Sequence, residues 1–145
     1  MEALLISACL TGVNCKYDGG NNALPEESLR ALSEKYRLVP VCPEMLGGLP
    51  APRVPCERLD GRVVNREGED VTEAFQRGAE TALRLAEEKG CKKALLKAKS
   101  PSCGGGAIYD GSFSHRVISG DGVTAELLRA AGLALFDETM LAALL

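Results

Sequence analysis

Three of the six cysteines each follow a short apolar run: Cys9 after residues 4–8, Cys42 after 38–41 and Cys103 after 94–96. If those runs are parallel neighbouring strands, their carboxyl ends share one sheet edge, where open α/β sheets place ligand sites. Three thiols from three separate strands then converge on one point, a donor set for a soft metal or a cluster. A structural zinc would take four protein ligands, commonly with paired C-x-x-C spacing. No C-x-x-C occurs in this chain. A [4Fe–4S] cubane held by three cysteines instead leaves one iron open to substrate or water, and an open iron is a Lewis acid. Cys15, in the same loop as Cys9, stays open between a fourth ligand and a buried loop thiol. Cys56, after Pro55, and Cys91, at a helix-to-strand junction on the opposite side, read as structural thiols.

Other candidates lie in the same loops. Glu44, two residues after Cys42, reads as a solvated carboxylate unless it sits beside a bound substrate, where it becomes a general base for water. Ser100 and Ser102 flank Pro101 just before Cys103, and either hydroxyl could orient a nucleophile or cap backbone. Gly104-Gly105-Gly106 lacks the Lys-Ser/Thr ending of a phosphate loop and reads instead as close backbone approach to a bulky group. Tyr17, Asp18, Arg53 and Asp110 are the polar residues placed to grip a substrate. The single histidine, His115, follows no strand and looks like exposed loop, so a Ser-His-Asp or Cys-His hydrolase is unattractive.

The elements that must position these groups alternate. Strand runs are apolar on both faces, as parallel strands covered by helices are. The strongest helix starts at a capping box, Asp70-Val71-Thr72-Glu73, keeps a helical apolar period from Val71 to Ala86, and stops at Gly90. A first helix starts near Pro25 and carries Leu29, Leu32 and Tyr36. A third spans 121–131, and Asp137 caps a short terminal helix after a strand at 133–136. Asp60-Gly61 marks a small hairpin. The pattern predicts an α/β layered domain over 1–145, with a mostly parallel central sheet flanked by helices plus that hairpin. Three long glycine-rich loops, 9–22, 42–55 and 99–122, all follow strands and hold the candidate residues.

The chain has 145 residues, 46% of them apolar, and a net charge of −3. That length buries enough surface to fold without disulfide staples. The acidic balance argues against a nucleic-acid backbone partner. No signal peptide or membrane span is expected. A cytoplasmic setting follows, where thiols stay reduced.

The blocks Ser7-Ala8-Cys9-Leu10-Thr11-Gly12-Val13-Asn14-Cys15, Val41-Cys42-Pro43-Glu44 with Pro52-Arg53, Lys99-Ser100-Pro101-Ser102-Cys103-Gly104 and Gly120-Asp121-Gly122-Val123-Thr124-Ala125 resemble the DUF523 family in order along the chain. The resemblance implies a thiouracil-type desulfidase with an oxygen-sensitive [4Fe–4S] cluster ligated by Cys9, Cys42 and Cys103. It also implies a catalytic Glu at Glu44 and a catalytic Ser at Ser100 or Ser102. The partner would be a small thio-substituted pyrimidine whose sulfur meets the open iron while Glu44 activates water, without net redox change. A non-catalytic zinc or iron–sulfur protein using Cys15, or transfer of the sulfur to another acceptor, are the alternatives. Lys16 and Ser114-His115 depart from the family pattern in ways that bear on substrate preference.

Overall fold

Residues Glu2–Ser7 (β1) carry apolar side chains on both faces, and all but Glu2 are buried. Such a strand needs a covering layer on each side. A 3-10 turn, Ala8–Thr11, leads into a loop and then α1 (Glu26–Lys35), β2 (Tyr36–Val41) and a one-turn helix α2 (Pro43–Leu46). An antiparallel hairpin follows, β3 (Cys56–Leu59) and β4 (Arg62–Asn65), and then the long α3 (Thr72–Lys89) and β5 (Lys93–Leu96). A second small hairpin, β6 (Ala107–Tyr109) and β7 (Val117–Ser119), precedes α4 (Val123–Ala130), β8 (Ala134–Asp137) and the terminal α5 (Leu141–Leu144). The computed structural model describes residues 1–145.

The central sheet runs β2-β1-β5-β8, every pair parallel. Alternate residues of the strands feed two cores. Leu5, Ala94 and Leu96 face Ala82, Ala86 and Leu128 of α3 and α4. Leu4, Ile6 and Leu95 face Leu32 of α1 and Leu144 of α5. The α/β layered fold and the Asp60-Gly61 hairpin are thus as the sequence pattern predicts.

Four local expectations change. Tyr36 does not end the first helix but begins β2, where its ring is buried and its hydroxyl donates to the Leu144 carbonyl at 2.8 Å. The capping box does not form: the helix starts at Thr72 after Val71 with no side-chain cap, while Asp70 Oδ1 accepts from the Thr72 amide and the Thr72 hydroxyl accepts from the Val63 amide of the hairpin. The third helix starts at Val123 and not at Asp121. Loops 42–55 and 99–122 hold α2 and the second hairpin, which the pattern did not reveal.

The position of α2 rests on two glycines. A methyl at Gly78 of α3 would lie 1.8 Å from the Pro43 carbonyl oxygen, and one at Gly47 would lie 1.9 Å from that of Ala74. The two backbones touch with no room for a side chain, which fixes the segment carrying Glu44. Gly78→Ala is therefore expected to lower unfolding stability by about 1–3 kcal/mol despite raising helix propensity. Denaturant melts of the two proteins check the sign.

Candidate functional site

The order of the sheet reverses at β1: the chain passes to β2 on one side, then crosses back to β5 on the other. Such a reversal parts the loops at the carboxyl ends and opens a crevice there. Cys9 sits in the turn after β1, Cys42 directly after β2, and Cys103 in the loop after β5. All three line one cavity of about 440 Å³, together with Cys15, Glu44 and Ser100.

The Cys103 loop is held by α4. The amides of its first turn have no helical partner. Val123 donates to the Pro101 carbonyl at 2.9 Å, and Thr124 and Ala125 donate to that of Ser102 at 2.8 and 3.1 Å. Gly122 permits this approach, since a side chain there would meet Ser102 backbone at 2.5 Å. The serines divide their tasks. Ser102 is fully buried, and its hydroxyl shares a 2.7 Å hydrogen bond with that of Thr124. Ser100 lines the cavity, and its oxygen accepts from the amides of Ser102 (3.1 Å) and Cys103 (3.0 Å), which leaves its own proton free to donate.

Glu44 lies in α2 and is not solvated. Arg53 Nε and Nη2 both reach its Oε2, at 2.8 and 2.6 Å, with only 14% and 7% of the Glu and Arg side chains exposed. Arg53 spends a further donor on the Pro50 carbonyl, and its amide donates to the Tyr17 carbonyl, tying the first loop to the second. Oε1 of Glu44 takes no hydrogen bond from the protein. Arg53 is therefore committed to Glu44, where the sequence suggested a grip on substrate.

Burial raises the thiols. Cys103 is pushed up strongly, and a hydrogen bond with the Ser7 side chain only partly opposes this. Cys15 is pushed up to about 12 by burial and by the neighbouring Cys42. Burial also raises Cys9, against a hydrogen bond with Asn22. No group of three or more His, Cys, Asp or Glu side chains is arranged to hold a single metal ion. Cys9 and Cys42 are nevertheless close enough to Cys15 and Cys103 to help raise both, and Cys42 Sγ lies 3.8 Å from the Cys15 carbonyl.

Tyr17 lines the cavity, but Asp18 and Asp110 do not. Each folds back on its own loop, Asp18 accepting from the Gly20 amide at 2.9 Å and Asp110 from the Ser112 amide and hydroxyl at 2.9 and 2.6 Å. Those bonds lower both carboxyls. Cys91 stays in the core, as expected, whereas Cys56 lines the cavity rim. Sequence reasoning missed Lys97 in the wall. It pairs with Glu138 at 2.6 Å, while the other oxygen of Glu138 takes the Ala98 amide. It read His115 as exposed loop, which it is, yet His115 also lines the cavity beside Tyr109.

The family model for 2-thiouracil desulfurase matches residues 4–140, which include every cavity-lining cysteine. The chain belongs to this family. An uncharacterised relative from Bacillus subtilis (strain 168), YbbK, is 41% identical over 148 residues, covering 95% of this chain and 97% of its own. A solved structure, the [4Fe-4S]-dependent thiouracil desulfidase TudS, is 45% identical with a TM-score of 0.94, covering 99% of this chain and 95% of that one. For a member of the 2-thiouracil desulfurase family, the meeting of these thiols at one cavity is the feature to explain.

The raised, buried thiols predict slow alkylation of metal-free protein. A thiol reacts as its thiolate, and a raised value keeps it protonated. At pH 8, iodoacetamide is expected to leave Cys15 and Cys103 unmodified in folded protein, and to reach both only in denaturant. Peptide mass mapping checks this.

Proposed function

We propose that this chain is a [4Fe–4S]-dependent desulfidase that replaces the sulfur of a thiouracil-like base with oxygen from water. The net change is C=S plus H₂O to C=O plus H₂S, with no electrons exchanged. One observation carries the reading: thiols from the ends of three neighbouring parallel strands line a single cavity with Glu44 and Ser100. The donor set fits a cluster, being soft, unpaired by disulfides and brought from three strand ends to one cavity. Cys9, Cys42 and Cys103 would hold it. When bound with three protein ligands, the cluster supplies a Lewis-acidic iron for the thiocarbonyl sulfur.

The rest is the work of side chains. Arg53 fixes one oxygen of Glu44 and leaves Oε1 to take a proton from water. A base held in one orientation meets the proton within hydrogen-bond reach. Ser100, its oxygen already anchored by two amides, donates its proton toward the water or the substrate heteroatom. Ser102 instead braces the loop against Thr124. No helix is long and apolar enough to cross a membrane. A small thiobase in a cytoplasmic setting completes the proposal.

The test is anaerobic reconstitution with iron and sulfide, followed by metal analysis and thiouracil turnover. About four irons per chain are expected. Cys9→Ser, Cys42→Ser and Cys103→Ser should each lose them, and Cys91→Ser and Cys15→Ser should keep them. Loss with Cys15→Ser, or uptake of one zinc through four cysteines, would favour the fully ligated, non-catalytic alternative.

A double-mutant cycle tests the base. Glu44→Gln with an intact cluster is expected to lower kcat about 10²-fold or more. Arg53→Ala should also lower it, yet add little to Glu44→Gln when the two are combined, as expected for residues acting as one unit. Full turnover by Glu44→Gln would sink the general-base role.

A further inference from the structure

Two rings that the proposed reaction does not use also line the cavity, Tyr109 at the end of β6 and His115 in the loop to β7. Their centroids are 5.8 Å apart and their planes stand at 83°. This is the edge-to-face contact that aromatic pairs favour, in which the edge of one ring covers one face of the other and leaves at least one face of each ring free of its neighbour. The backbone bearing them is costly. His115 has φ +61° and Phe113 has φ +57°, in the left-handed region that favours glycine.

Burial does not compensate His115, which is exposed at the mouth. The loop is instead pinned from the first hairpin. Glu57 of β3 is buried, and its Oε1 accepts from the amides of Gly111 (2.9 Å) and Phe113 (3.1 Å). Arg66, just past β4, stands 5.7 Å from the Phe113 ring centre. These contacts hold Gly111 and Phe113, and through them the loop that carries the strained His115 at the cavity wall, a pattern associated with function.

We propose that Tyr109 and His115 form a ring-recognition wall, and that His115 is a specificity residue favouring planar heteroaromatic thiobases over puckered or non-aromatic thioamides. The reactive group of the substrate rests on the desulfidase reading, but the recognition of its ring does not. A flat base can lay its π face on one of these rings and meet the other, nearly perpendicular to it, at its edge, whereas a puckered ring of the same polarity has no flat face to offer. Stacking of this kind is tolerant of which base is presented.

Two variants separate ring from backbone. His115→Gly removes the imidazole and relieves the positive φ, whereas His115→Asn removes the imidazole and keeps a residue that tolerates it. Reconstituted parent and variants would be compared with 2-thiouracil and with 5,6-dihydro-2-thiouracil, which keeps the thiocarbonyl but lacks the planar ring. Binding of uracil, which has the ring and no sulfur, would be followed by ligand-observed NMR. Both variants are expected to raise KM for 2-thiouracil about tenfold with a much smaller change in kcat, and to weaken uracil similarly, as loss of one stacking contact implies. Their preference for 2-thiouracil over its dihydro form should shrink. His115→Gly should melt no lower than the parent, which a merely structural histidine would not allow.

Uracil that fails to bind the parent, or binds parent and variants alike, overturns the proposal, as does an unchanged KM. Absence of turnover in every protein, with uracil binding weakened by His115→Asn, would support the wall while defeating the desulfidase reading.

Discussion

A parallel sheet whose strand order reverses at an inner strand leaves one gap at its carboxyl edge, and everything else in this chain is arranged around that gap. The reversal at β1 sends the loops after β1 and β5 apart, and the loop after β2 joins them from the side. Each loop brings a cysteine, so the thiols are neighbours in space although they are far apart in sequence. The length of the loops follows from the same constraint. A tight turn would keep each thiol on its own strand, whereas these loops reach over the edge and close upon one another, as the Arg53 amide does on the Tyr17 carbonyl.

Two clamps hold the gap in shape, and they differ in kind. The first is backbone: the free amides of α4 are satisfied by carbonyls of the Cys103 loop, so the helix end and the loop complete each other. The second is ionic. A carboxylate as buried as Glu44 is costly without a partner, and removing one member of such a pair typically costs about 3–5 kcal/mol. Arg53 meets that cost at one oxygen and leaves the other to the cavity. The same pair thus holds a charged group in a partly dry wall and keeps it chemically available.

Much of this was legible in the sequence, for identifiable reasons. Two-faced apolar runs gave the strands, and the residues after them gave the cysteines, because the edge rule depends only on strand direction. The second hairpin was not legible: Val117 and Ile118 are exposed, so β7 has no buried face to impose a period. Tyr36 fitted a helical period by chance, and its burial in β2 is decided by the distant Leu144 carbonyl. Local polar chemistry misled in the same way. Asp18 and Asp110 sit in the right loops, but a short carboxylate finds its own backbone amides first. That Ser102 is bonded to Thr124 and Lys97 to Glu138 could not be read from spacing either. Contacts across the sheet edge leave no trace in local spacing.

The docking of α4 on the Cys103 loop also bears on how such chains can diverge. Ser102, Gly122 and Thr124 occupy one another's space, down to a glycine whose missing side chain is filled by its neighbour's backbone. A change at any one of them alters the fit of the other two. A chimera joined between the blocks around Cys103 and Gly122 therefore combines halves shaped for different partners. A crossover in the turn at Gly90, where a methyl would meet nothing within 4 Å, leaves both blocks on the same parent.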